Sequence, residues 1–160
     1  MSRAELPSFD VRAATPADVP ELARLLAQLG YPAEDAVLAD RLAKFGAAGE
    51  VALVADDGPD DGRRRHLLGA ITVHVTPVLH RAGPVGRLTA LVVEAEARGR
   101  GVGRALVAAA EELLAARGCV LIEVTSNRRR TDAHAFYERL GYAQTSLRFA
   151  KTVPPPPTAG

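Results

Sequence analysis

Arg87-Leu-Thr-Ala-Leu-Val-Val-Glu-Ala-Glu-Ala-Arg98-Gly-Arg-Gly-Val-Gly-Arg104-Ala-Leu-Val-Ala-Ala-Ala-Glu-Glu-Leu-Leu-Ala-Ala-Arg-Gly118 is the stretch on which the fold turns. Leu88 to Val93 reads as an apolar strand. A short polar link leads into Arg98-Gly99-Arg100-Gly101-Val102-Gly103-Arg104. Val102, Leu106, Ala109 and Leu113 then recur at helical spacing, and Gly118 stands where a helix stops. The first turn of a helix has N–H groups without intrahelical partners, and the macrodipole adds partial positive charge there. Glycines let an anion approach those N–H groups, and three arginines add full charges around the same turn. A pyrophosphate fits such a turn.

Three phosphate-binding patterns compete for it. A nucleotide P-loop needs Gly-x-x-x-x-Gly-Lys-Ser/Thr, which does not occur here. A dinucleotide fingerprint needs Gly-x-Gly-x-x-Gly/Ala, and the last position is Arg104 or Leu106 depending on the start. The third pattern, Arg/Gln-x-x-Gly-x-Gly/Ala, is matched in full by Arg98 to Gly103. It is the pyrophosphate signature of the GNAT superfamily of N-acetyltransferases, which this stretch closely resembles. A second stretch, Asp132-Ala-His-Ala-Phe-Tyr137-Glu-Arg-Leu-Gly-Tyr142, resembles the Ala-x-x-Phe-Tyr-x-x-Leu-Gly-Phe/Tyr run common in that superfamily. The resemblance covers residues 9–150 and is weaker in the first half.

Composition sets the frame. The chain has 160 residues, 48% hydrophobic and 24% charged, with a net charge of +1. That suits one globular domain and gives no global electrostatic case for nucleic acid or an anionic membrane as partner. Cys119 is the only cysteine, so no intrachain disulfide forms. Glu5 and Asp10 near the start do not fit a signal peptide, and no apolar run is long enough for a bilayer, so a cytoplasmic location is expected. Residues 1–8 read as a flexible start, 9–151 as a single domain and the proline-rich 152–160 as a disordered tail.

Along the chain, Phe9–Ala14 reads as a strand. Thr15-Pro16-Ala17-Asp18 opens a helix whose stripe is Val19, Leu22, Leu25, Leu26 and Leu29. A second helix is expected over Glu34–Phe45. Strands follow at Val51–Ala55 and Leu67–Thr76, paired as a hairpin with a charged tip over Asp56–Arg65. After the central strand and helix come a strand at Cys119–Thr125, a helix at Asp132–Leu140 and a last strand at Tyr142–Lys151. The order β-α-α-β-β-β-α-β-α-β is that of the GNAT fold. The fold class is therefore α/β (α+β), a mixed, mostly antiparallel sheet with a splayed central strand and helices on both faces.

The resemblance implies acetyl-CoA as acyl donor and a primary amine as acceptor, with direct transfer in a ternary complex. It assigns the pyrophosphate to Arg98, Gly99, Arg100, Gly101, Val102, Gly103 and Arg104, and the pantetheine to the backbone of Leu91, Val92 and Val93. Tyr137 would protonate the departing thiolate; packing on a helix face is the alternative. Relatives often carry an acid early in the central strand, where this chain has Thr89-Ala90. Glu123 is then the nearest base, or a carboxylate paired with an arginine, and a water chain is a third route. Many relatives have Asn where this chain has Arg130, so Asn127 or Arg130 would contact the coenzyme, or Arg128–Arg130 is a solvated basic loop.

His74 faces either an acceptor cleft or sheet packing, and no histidine pair has metal-ligand spacing, so no metal site is expected. The acceptor is expected to be a small molecule, with a peptide or protein amine as alternative. A non-catalytic acyl-CoA-binding domain stays open on the missing acid, and the resemblance also allows a homodimer.

Overall fold

The computed structural model describes residues 9–47, 49–58 and 66–156. The expected flexible start at 1–8, most of the hairpin tip and residues 157–160 lie outside the described residues. The chain divides into two compact units, residues 1–124 and 125–160.

The first unit is built on a five-stranded sheet in the order β1-β2-β3-β4-β5. The strands are β1 Asp10–Ala13, β2 Glu50–Asp56, β3 Leu67–Thr76, β4 Val85–Val93 and β5 Leu121–Val124. All neighbours are antiparallel except β4 and β5, which run parallel. Between β4 and β5 the chain crosses through α3, Val102–Ala116. Helices α1, Val19–Gln28, and α2, Asp35–Lys44, lie between β1 and β2 in sequence.

The two sheet faces are covered by different helices. A Cβ on Gly69 would sit 3.1 Å from Leu106 and 3.2 Å from Val102, and one on Gly86 would sit 2.8 Å from Leu114. Only glycine lets α3 come this close. By strand alternation, Ile71, Val73 and Val75 share the α3 face with Gly69. On the opposite face Val54, Ala70 and Val92 pack with Val19, Leu22 and Leu25 of α1 and Leu38 of α2. The inward stripe of α3 is Val102, Leu106, Val107, Ala110 and Leu114, all at most 1% exposed. Ala110 and Leu114 take the places expected of Ala109 and Leu113, which are only partly buried.

Register carries the main irregularity. Thr72 pairs with Ala90 and Val73 with Leu88, so Thr89 is an extra residue in β4. Leu88 and Leu91 then share the α3 face although they are three apart, which only an inserted residue permits. β5 pairs with Val85–Leu88 and no further. Beyond the bulge, β4 continues to Val93 with a strand neighbour, among the described residues, on the β3 side alone.

Two buried carboxylates start the helical layer. Asp18 and Asp56 are 2% and 6% exposed. Arg12 bridges them, with Nη1 2.8 Å from Asp18 Oδ2 and Nη2 2.7 Å from Asp56 Oδ2. Asp18 also accepts from the Thr15 amide at 2.7 Å and hydroxyl at 3.0 Å, which fixes the entry to α1. Burial alone pushes the Asp18 carboxyl up, but the hydrogen bonds from Arg12 and Thr15 outweigh it and hold it below the usual range.

The second unit is a turn, a helix α4 over Thr131–Arg139, and an extended segment. The expected last strand at Tyr142–Lys151 is absent: residues 142–151 form no regular structure and join no sheet. Leu147 and Phe149 are 61% and 91% exposed. A strand exists only beside a second strand, and among the described residues this segment pairs with none. Residues 152–156 are exposed and irregular.

Asp18→Asn leaves Arg12 facing one carboxylate and is expected to cost about 3 kcal/mol. Because the Asp18 pKa is lowered on folding, its stabilisation is present above the unfolded carboxylate value of about 4 and is lost as pH falls below it. Urea unfolding from pH 7 to pH 3 checks this, and the acid limb should be shallower in the variant.

Candidate active site

The open edge of β4 runs into the glycine-arginine turn. The Glu94 amide donates to the Leu68 carbonyl at 2.9 Å, so Val92 and Ala90 turn their backbone toward β3 by alternation. Leu91 and Val93 turn theirs away, where β5 no longer reaches. Val92 has its side chain in the core, 5% exposed, so it is not brought to that edge. Arg98 Nε donates to the Val93 carbonyl at 3.4 Å, joining the strand end to the turn.

A short 3-10 turn, Ala95–Ala97, follows β4, and the glycine-arginine turn comes next. Gly99 and Gly101 have φ of +78° and +82°, the left-handed region, and Gly101 is the cap residue of α3. A Cβ at either would meet nothing within 4 Å, so conformation and not crowding demands glycine, and the space above the turn is open. The Ala105 amide makes the first helical bond, to the Gly101 carbonyl at 3.0 Å. Among the described residues no side chain caps α3, and its first turn holds no acid, leaving the N–H groups of Val102, Gly103 and Arg104 as the orphans of the helix start. Arg98, Arg100 and Arg104 are all exposed around them.

A cluster that sequence spacing does not suggest fastens the exit of β4. Glu94 takes Arg24 Nη1 at 2.5 Å on one oxygen and His66 Nε2 at 2.6 Å on the other. Arg24 also reaches Glu21 Oε2 at 2.8 Å and the Leu67 carbonyl at 2.9 Å. Burial alone raises the Glu21 carboxyl, but Arg24, the Leu67 amide and His66 bring it below its usual range. α1, the start of β3 and the end of β4 are thereby tied at one point. The only sequence signal is a glutamate directly after an apolar strand, and its partner Arg24 lies 70 residues away.

Glu123 sits on β5, opposite Arg87 in register. Its Oε1 is 3.9 Å from Arg87 Nη1 and its side chain is 49% exposed. No apolar enclosure surrounds it there. Thr89 and Ala90, at the position where relatives often carry an acid, form the bulge, with Thr89 Oγ1 2.7 Å from Thr72 Oγ1.

In the second unit, Asn127 folds the basic loop on itself. Its Oδ1 accepts from the Arg129 amide at 3.0 Å, and its carbonyl lies 2.9 Å from His134 Nε2. Arg130 immediately precedes α4 and is exposed. Tyr137 packs edge-on against Phe136 and Tyr142, with ring centroids 5.2 and 5.7 Å away. Burial raises the Tyr137 phenol above its usual value, with Arg130 pulling the other way, so the proton is held throughout the neutral range. Burial likewise raises the Cys119 thiol against the pull of Arg117, which does not favour a reactive thiolate.

Residues 20–142 match the model of the acetyltransferase (GNAT) family. The chain belongs to that family. A 91-residue stretch is 40% identical to the aminoalkylphosphonate N-acetyltransferase of Salmonella typhimurium; it covers 57% of this chain and 59% of that relative, little more than half of either. Among solved structures, an acetyltransferase of Trypanosoma brucei superposes with a TM-score of 0.77 at 24% identity, over 91% of this chain and 99% of that one. A transcriptional regulator of Bacillus halodurans C-125 superposes equally, at a TM-score of 0.77 and 25% identity over 91% and 99%. The fold is thus common to proteins of different function, an acetyltransferase and a transcriptional regulator by name, and activity has to be argued from the site.

Gly101→Ala forces a Cβ into the left-handed region at a cost of about 1–2 kcal/mol. The expected drop in thermal midpoint is about 2–8 °C. An unchanged midpoint would mean that the turn relaxes to another conformation.

Proposed function

We propose that this chain is an acetyl-CoA-dependent N-acetyltransferase that transfers directly to a small primary amine in a ternary complex. The observation that carries the reading is the one-sided edge of β4 running straight into an uncapped, arginine-flanked helix start. The backbone of Leu91 and Val93 would receive the pantetheine amides as an added strand. The Val102, Gly103 and Arg104 amides, with Arg98, Arg100 and Arg104, would hold the pyrophosphate. Asn127 or Arg130 would add a contact to the coenzyme.

The neutral amine attacks the thioester carbonyl carbon, and the Val93 N–H stabilises the oxygen as it gains charge. Collapse of the tetrahedral intermediate breaks the carbon–sulfur bond. The thiolate leaves with the proton of Tyr137, whose raised pKa keeps that proton available. Glu123 is the candidate that removes the amine proton, by itself or through water. The relative in Salmonella typhimurium is named for an aminoalkylphosphonate, and this supports a small amine that carries an anionic group.

Acetyl-CoA at a hundredfold its Kd should stabilise the protein by about 2.7 kcal/mol, with ATP and NAD producing no comparable shift. Binding without thiol release from any amine would instead identify a non-catalytic acyl-CoA-binding domain. Tyr137→Phe should lower kcat about 100-fold at unchanged KM for acetyl-CoA. Glu123→Gln should lower turnover more than about tenfold if it is the base, and a near-normal rate transfers that role to water.

A further inference from the structure

Side chains of α1 reach the place where the β3–β4 ladder ends. The last pair of that ladder is Gly69 with Val93. Leu67, which opens β3, has both backbone groups taken up by α1. Its amide donates to Glu21 Oε2 at 3.2 Å, and its carbonyl accepts from Arg24 Nη2 at 2.9 Å. Arg24 Nε lies 3.2 Å from both Glu21 oxygens, and Nη1 crosses to Glu94 Oε1 at 2.5 Å. Glu94 Oε2 lies 2.6 Å from His66 Nε2, so both oxygens of this carboxylate are engaged.

The peptide that joins Val93 to Glu94 is thereby fixed from three sides. Its N–H donates to the Leu68 carbonyl at 2.9 Å, and its carbonyl accepts from Arg98 Nε at 3.4 Å. The side chain that follows it is held by Arg24 and His66. That side chain is only 13% exposed, so Glu94 is a largely desolvated charge and not part of a surface ion pair. Desolvation offsets most of what such a pair contributes to stability. What the arrangement does supply is a fixed position for the strand end, just where β5 no longer reaches.

We infer that Arg24 and Glu94 are positioning residues for the coenzyme, holding the end of β4 so that the outward backbone of Leu91 and Val93 meets acetyl-CoA already in place. The inference rests on the N-acetyltransferase reading above and adds two residues that act through the Val93 backbone. A strand end paired on one side opens easily, and the cost of ordering it would subtract from coenzyme affinity. Glu94 is next to Val93 and precedes Arg98 by four residues. A displaced Glu94 therefore moves the pantetheine edge and the first arginine of the turn together. The guanidinium of Arg24 suits the task, because its planar fork reaches Glu21, Leu67 and Glu94 at once.

The test is the Kd of acetyl-CoA by titration calorimetry on the full chain, with the thermal midpoint of each variant recorded beside it. Glu94→Ala should raise the Kd about 10- to 100-fold. Glu94→Gln, which keeps one acceptor oxygen for Arg24, should recover part of the loss. Arg24→Lys places a point charge where three partners are bridged, so it should resemble Arg24→Ala. In turnover, the KM for acetyl-CoA should rise and the KM for the amine should stay. Asp18→Asn is the control for a merely structural role, since it loosens the entry to the same helix and lies outside the clamp. It should lower the midpoint and leave the Kd unchanged. An unchanged Kd in the Glu94 variants, or an equal rise in Asp18→Asn, overturns the inference and leaves the N-acetyltransferase reading standing. No binding of acetyl-CoA by the unsubstituted protein overturns both.

Discussion

β4 loses one of its two neighbours halfway along its length, and the candidate site depends on that loss. Up to Leu88 it is paired on both sides; from Thr89 onward only β3 remains among the described residues. Buried backbone amides must find partners, so an edge of this kind inside a sheet is costly unless water or a ligand satisfies it. Thr89 marks the change. The inserted residue moves Val92 into the core with α1 and α2 and turns the backbone of Leu91 and Val93 outward. The same insertion brings the Thr89 hydroxyl to Thr72 on the opposite face from α3.

A strand end with one neighbour needs fastening elsewhere. Glu94 supplies it through Arg24 and His66, and the Glu94 amide adds the bond to Leu68. Arg98 reaches back to the Val93 carbonyl. The glycine turn therefore starts from a fixed point although its own backbone, at Gly99 and Gly101, is held by no crowding. Rigid flanks around a permissive turn suit a site that must present several N–H groups at once. Arg12 does the corresponding work at the start of α1, where Asp18 and Asp56 would otherwise be buried charges without compensation.

The three-arginine turn and the tyrosine helix are short-range patterns, and both are readable in the residues alone. Gly99 and Gly101 of that run stand where the backbone takes a positive φ, and α3 begins at Val102 directly after them. The β3 limits, Leu67–Thr76, follow from simple alternation. By contrast, the expected last strand at Tyr142–Lys151 does not form, because the residues of one segment say nothing about whether a strand neighbour exists. Glu123 could be read as buried from its apolar neighbours, yet it lies on β5 opposite Arg87 and half exposed.

The sequence by itself determined the local chemistry of this protein: where the helices and most strands run, where glycine must stand, and which family the chain joins. These depend on residues within a few positions of one another, whose periodicity and backbone preferences are intrinsic. Tertiary structure alone decided the insertion at Thr89, the clamp from Arg24 to Glu94, and the register that sets Glu123 opposite Arg87. Each depends on strand register or on partners tens of residues apart. Register is chosen by packing of whole faces, and no short window of sequence contains that information.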